Sequence, residues 1–157
     1  MKKQTNSKQS RTPTTLLNPS KNNQDRVPVL GPERKKQLAA FLKAAGIRFK
    51  SLGLLNLSFI HRSVSNETGG RCAAGALNNE RLEFLGDSIL GAACATLLYE
   101  KYPEKSEGDL AKIKSVVVCE DVLSMVARLL QIDTMLLLGK GEELTGGREK
   151  KAILADT

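Results

Sequence analysis

Residues 79–101 read as one long helix, and that helix limits what the chain can fold into. It stops before Pro103, because the residue preceding a proline resists the α conformation. Other helical stretches surround it. Leu38, Phe41 and Leu42 fall on one face of a helix over residues 33–45, and Leu55, Phe59 and Ile60 point inward from a helix over 54–62. Ser106 to Asp109 has the form of a capping box, with Asp109 replacing the usual Glu, and opens a helix to about Val118. A further helix covers residues 120–130, residues 139–147 form a Gly-rich loop, and 148–157 begin a last helix. Residues 66–77, which hold Gly69, Gly70 and Gly75, read as another loop. No alternating period-2 segment is longer than residues 135–138, so the expected fold class is all-α.

Composition agrees. Aromatics make up 4% of the 157 residues and Trp is absent, so Leu, Ile, Val and Ala must build the core. That mix suits packed helices better than a β-sandwich. Residues 1–30 are poor in apolar side chains, contain Pro13, Pro19 and Pro28, and form an expected disordered basic tail ahead of one domain over 31–157. The tail carries Lys2, Lys3, Lys8, Arg11, Lys21 and Arg26 against Asp25 alone, which is +5 of the net +7. Tracking of a phosphate backbone and a merely solvated leader both fit it.

No apolar run reaches the roughly 20 residues that span a bilayer, so no membrane partner is expected. The tail also lacks the apolar stretch of a secretory signal. Cys72, Cys94 and Cys119 lack metal-ligand spacing, and an odd number argues against a disulfide framework. Cys94 and Cys119 read as small buried hydrophobes in a reducing compartment, with a cytoplasmic location as the default.

Glu80, Glu83 and Asp87 stand at i, i+3 and i+7 on the long helix. Side chains three and four residues apart share a face, and like charges there cost a few tenths of a kcal/mol per pair. A cation offsets that cost; hard oxygen ligands suit Mg²⁺ or Mn²⁺ rather than Zn²⁺. By spacing alone a solvated acidic face is the better fit. The neighbours favour the cation. Leu82, Leu85 and Ile89 form an adjacent apolar stripe, so the acids border the face expected to be buried. Gly86 and Gly91 interrupt a helix where glycine costs about 1 kcal/mol relative to Ala, and Gly86 beside Asp87 permits close approach of a partner or substrate. The residue types therefore describe a metal site near an interface.

The stretch Glu80-Arg81-Leu82-Glu83-Phe84-Leu85-Gly86-Asp87-Ser88-Ile89 resembles, without a mismatch, the signature decapeptide of the ribonuclease III family. His61-Arg62-Ser63 resembles the family's short upstream motif, and Glu107-Gly108-Asp109-Leu110 its next helix start. Gly146-Gly147 with Ile153-Leu154-Ala155-Asp156-Thr157 resembles its final catalytic helix, so the similarity covers roughly residues 33–157. The resemblance implies the helical endonuclease-domain fold and hydrolysis of double-stranded RNA by a homodimer using Mg²⁺, with Mn²⁺ able to substitute. It implies products with 5′-phosphates and short 3′ overhangs, in rRNA and mRNA processing. Carried over by position, Glu83, Asp87 and Asp156 are the catalytic and metal-binding acids, while Glu80 and Glu107 lie on the dimer or substrate side. His61, Arg62 and Ser63 read as structural. Lys112 and Lys114 fit either a phosphate contact or a solvated face. Lys140 between Gly139 and Gly141 lacks the remainder of a P-loop.

One departure limits the expectation. The family pattern places a further Glu three residues after the last Asp, beyond Thr157, so three of four expected acids are present. The chain thus reads as a catalytic domain incomplete at its C-terminus, a fragment or a truncated form, without a double-stranded-RNA-binding module. Cleavage by it is expected to be weak or absent, its last helix frayed, and its affinity for duplex RNA low. The alternative is a non-catalytic RNA-binding or dimerisation module that keeps the fold.

Overall fold

A computed structural model describes residues 30–67 and 77–157. The basic tail, Cys72 and the glycines of the expected loop at 69, 70 and 75 lie outside the described residues. Helices α1 (Pro32–Ala45), α2 (Leu52–Ser58), α3 (Arg62–Glu67), α4 (Glu80–Lys101), α5 (Glu107–Val117), α6 (Glu120–Leu129), α7 (Ile132–Met135), α8 (Lys140–Leu144) and α9 (Lys151–Ala155) follow in order, with a 3₁₀ turn at Gly147–Glu149 before α9.

Local sequence sets these boundaries. Pro32 occupies the first turn of α1, where its missing N–H costs nothing, and Gly46 closes the helix at φ +68°. There Ile47 N–H returns to the Leu42 carbonyl at 3.0 Å, the closure that a left-handed glycine permits. The Ser51 hydroxyl caps α2 by accepting from Leu54 N–H, and the Ser106 hydroxyl caps α5 by accepting from Asp109 N–H.

Two expectations fail in the same place. The helix expected over 54–62 is two helices, and the Gly-rich stretch 139–147 holds α8 rather than only loop. The Phe59 carbonyl accepts from Leu137 N–H at 2.8 Å, and His61 N–H donates to the Leu137 carbonyl at 3.0 Å. Ile60 and Leu137 thereby form an isolated parallel bridge, which takes the backbone groups α2 would need to continue. The segment after Leu137 is drawn against α3. Gly139 N–H donates to the Ser63 hydroxyl at 2.8 Å, and Gly141 N–H to the Glu67 carboxylate at 2.9 Å. That carboxylate sits at the N-terminus of α8 and satisfies donors the short helix leaves free. Gly139 is required for the approach: a Cβ there would lie 2.7 Å from the Ser63 carbonyl oxygen.

The core has two centres joined by Ile132. In one, Leu38, Leu55, Phe59 and Met135 unite α1, α2 and α7, with Phe41 edge-on to Phe59 at 5.3 Å. Arg34 reaches across this cluster, donating to the Asn56 side chain and the Met135 carbonyl, both at 2.7 Å. In the other, Ala127, Leu136, Ile153 and Leu154 fix α9 against α6. Arg148 closes its lower edge through the Asp133 and Leu136 carbonyls and a two-pronged pair with Glu143.

Helix α4 is built differently. It packs on α5 and buries only Leu98, while Phe84 is 78% exposed and Leu85, Ile89, Leu97 and Tyr99 are also exposed. The apolar stripe beside the acids is therefore open rather than buried within this chain. Nothing lies within 4 Å of the position a Gly86 Cβ would take, and Lys114 lies across Gly91. By length and average composition α4 is long and apolar enough to cross a bilayer, which a count of uninterrupted apolar residues does not reveal. Three acids occupy its first turns. Cys94 and Cys119 are free thiols, and both are half-exposed rather than buried.

Candidate active site

The bridge at Ile60 also positions the acids. Asn79 N–H donates to the Ile60 carbonyl at 2.8 Å, and the Asn79 carbonyl accepts from Leu82 and Glu83 N–H at 2.7 and 2.9 Å. The first turn of α4 is thus pinned to the segment that ends α2. The Asn78 carboxamide accepts from Glu80 N–H and donates to the Glu80 carboxylate, which also faces Arg62 at 3.7 Å. On the far side, burial of Ile153 and Leu154 against α6 leaves the next exposed residue, Asp156, at the rim of the gap between α9 and α4.

Two adjoining clefts occupy that gap. One, of about 330 Å³, is lined by Glu83, Asp87 and Asp156 together with Asn79, Gly86 and an apolar wall that includes Leu82, Leu90 and Val126. The second, of about 350 Å³, is lined by His61, Arg62, Asn79, Glu80, Glu83 and Asp156. Asn79, Glu83 and Asp156 belong to both.

The electrostatics match a shared, partly desolvated space. Burial, then Asp156, Asp87 and Glu80, push the Glu83 carboxyl above the usual carboxylate range, with Arg62 opposing. Partial desolvation, then Asp87 and Glu120, push the Asp156 carboxyl up as well, against His61 and Arg62. Burial lowers His61 more than the acids around it raise it. Its Nδ1 accepts from Ser63 N–H at 3.3 Å and lies 2.8 Å from the Ser63 hydroxyl, whose oxygen already accepts from Gly139 N–H. Nδ1 is thus an acceptor, and the neutral ring carries its proton on Nε2.

Carboxylates that raise one another's pKa across a cleft invite a cation, and oxygen-only donors fit Mg²⁺ or Mn²⁺. Among the described residues, however, no three His, Cys, Asp or Glu side chains already stand close enough to cage an ion. The donor chemistry fits the ion, while the spacing is that of mutually repelling acids. Glu83, Asp87, Asp156 and Glu80 are brought together; Glu107, at the exposed start of α5, lines neither cleft, nor do Lys112 and Lys114. Sequence reasoning overlooked Asn79, although it stands at i−4 from Glu83 and i−8 from Asp87. It also read His61 as purely structural, whereas the ring faces the second cleft.

The ribonuclease-III-like family pattern matches residues 52–157. The chain belongs to that family. It is 56% identical over 127 residues to the ribonuclease 3 of Treponema denticola, covering 81% of this chain and 50% of the relative. With the ribonuclease 3 of Borreliella burgdorferi it shares 49% identity over 124 residues, 79% of this chain and 49% of the relative. The chain thus spans about half the length of the curated relatives it matches. A crystal structure of the nuclease domain of ribonuclease III from Campylobacter jejuni superimposes with a TM-score of 0.64 at 30% identity, covering 82% of this chain and 77% of that one. A second structure of that domain, described for flexibility in a region involved in dimer formation, also gives 0.64, at 33% identity over 74% and 75% of the two chains. The all-α fold and the family membership implied by the decapeptide both hold.

Proposed function

We propose that this chain carries catalytic machinery of an endoribonuclease that hydrolyses double-stranded RNA with a divalent metal, Mg²⁺ or Mn²⁺. The observation that carries the reading is the cleft on which Glu83 and Asp87 of α4 meet Asp156 at the end of α9. These acids would hold the ion. When bound, it lowers the pKa of a water for in-line attack and neutralises charge on the leaving oxygen. Glu80, engaged by Asn78 and Arg62, orders the first turn of α4 rather than adding a fourth free carboxylate. Neutral His61 places a fixed N–H donor among acceptors without adding charge.

The enzyme acts as a homodimer, each subunit cutting one strand and leaving 5′-phosphates with short 3′ overhangs. The exposed Phe84, Leu85 and Ile89 support that assembly, because a contiguous apolar face on a single helix is normally covered. Duplex RNA is read by shape and 2′-hydroxyls, since its major groove is too narrow for side chains. Processing of rRNA and mRNA in the cytoplasm is the matching role.

The test is incubation of duplex RNA with this chain, and with a chain extended past Thr157, with and without Mg²⁺. Mg²⁺-dependent cutting is expected of the extended chain, with weak or no cutting by this one, and Asp87→Asn should reduce it more than about 100-fold with an unchanged circular dichroism spectrum, a ligand costing more than the outer partners that cost up to that much. Normal cutting by that variant would overturn the site, and no cutting by either chain the nuclease reading.

A further inference from the structure

Asn79 is 4% exposed, yet among the described residues its carboxamide makes no hydrogen bond; even the helix it caps receives none from it. Also among those residues, no polar side-chain atom is both sealed from solvent and without a partner. The small exposed fraction of Asn79 therefore includes its amide oxygen and nitrogen, and the surfaces it lines are the two acid clefts. With no partner from the chain and its polar atoms open to the clefts it lines, the carboxamide is available to a ligand held there. Backbone bonds to Ile60, Leu82 and Glu83 hold it there.

We infer that Asn79 is a further metal-site residue, whose carboxamide oxygen accepts a hydrogen bond from a water of the hydrated divalent cation held by Glu83, Asp87 and Asp156. The inference rests on the metal-site reading above and adds a residue to it. Asn79, Glu83 and Asp87 stand at i, i+4 and i+8, so one face of α4 presents a carboxamide followed by two carboxylates. A Mg²⁺-like ion keeps several of its waters, and coordination makes each a stronger hydrogen-bond donor and a poorer acceptor. A fixed neutral acceptor serves those waters without adding to the repulsion among the acids. The amide makes no hydrogen bond to Glu83 or Asp156, with which it lines both clefts.

Titration of the full chain with Mn²⁺ alone, followed by electron paramagnetic resonance of the free ion, tests this without RNA or turnover. Asn79→Ala should weaken Mn²⁺ binding roughly tenfold, as loss of an outer-sphere partner does. Asn79→Asp, of the same shape with a charge, should bind at least as tightly as the wild type. If Glu83→Gln weakens binding while Asn79→Ala leaves it unchanged, Asn79 is not at the ion and the metal site stands. If the wild type itself binds no Mn²⁺, both fall. Should Asn79→Ala fail to fold, weaker binding by Asn79→Asp overturns the inference on its own.

Discussion

Helices α6 and α4 both carry many apolar side chains, but they end in different environments. Helix α6 packs Ala127 against Ile153 and Leu154 of α9, although Met125, Val126 and Leu129 stay exposed. Helix α4 is more than twice as long, touches mainly α5, and leaves Phe84, Leu85, Ile89, Leu97 and Tyr99 in solvent. The first arrangement stabilises the monomer. The second contributes little to it and reserves apolar surface for something outside the chain. The acid cleft lies at the seam, with Glu83 and Asp87 on the loosely held helix and Asp156 at the end of α9, which α6 holds.

Three substitutions test that contrast. Leu154→Ala, at a side chain 1% exposed, should destabilise the chain by about 3 kcal/mol in urea unfolding. A loss below about 1 kcal/mol would mean the α6–α9 layer is not the anchor described. Phe84→Asp should leave monomer stability within about 0.5 kcal/mol, as exposed positions do, but shift sedimentation toward monomer. An equally dimeric variant would assign the exposed face another occupant.

The smallest effect concerns Glu83. A carboxyl whose folded pKa is raised holds its proton more tightly in the folded chain. Its contribution to stability therefore falls as pH rises from the ordinary carboxylate range through the raised value, and stays low above it. Without divalent ions, Glu83→Gln should be more stable than the wild type at pH 7 by a few tenths of a kcal/mol. The difference should vanish near pH 4, and Mg²⁺ should reverse it by binding only the wild type's intact cleft. A variant less stable than wild type at pH 7 in ion-free buffer would show that the acids are not in conflict.

Helices with clear caps were legible in the sequence. Ser106 and the proline after Tyr102 marked the start of α5 and the end of α4 within a residue or two. The elements missed were those made by distant partners. The end of α2 at Ser58 depends on Leu137, and α8 forms on Ser63 and Glu67 despite its glycines; neither dependence leaves a local period to read. The site divides in the same way. Glu83, Asp87 and Asp156 were legible because spacing and the decapeptide carry them, although which acids share a space had to come from the fold. Asn79 was invisible because an asparagine at a helix start is ordinarily a cap, and only its missing cap bond sets it apart.

The bridge between Ile60 and Leu137 has a consequence in time. During synthesis at about 5–20 residues per second, Asp156 follows Glu83 by roughly 4–15 s. Until Leu137 has emerged and paired, the Ile60 segment that steadies the start of α4 is itself unsupported. A nascent chain therefore presents its two helix-borne acids well before a finished cleft exists. The completed acid cleft is withheld until the segment carrying Asp156 has left the ribosome.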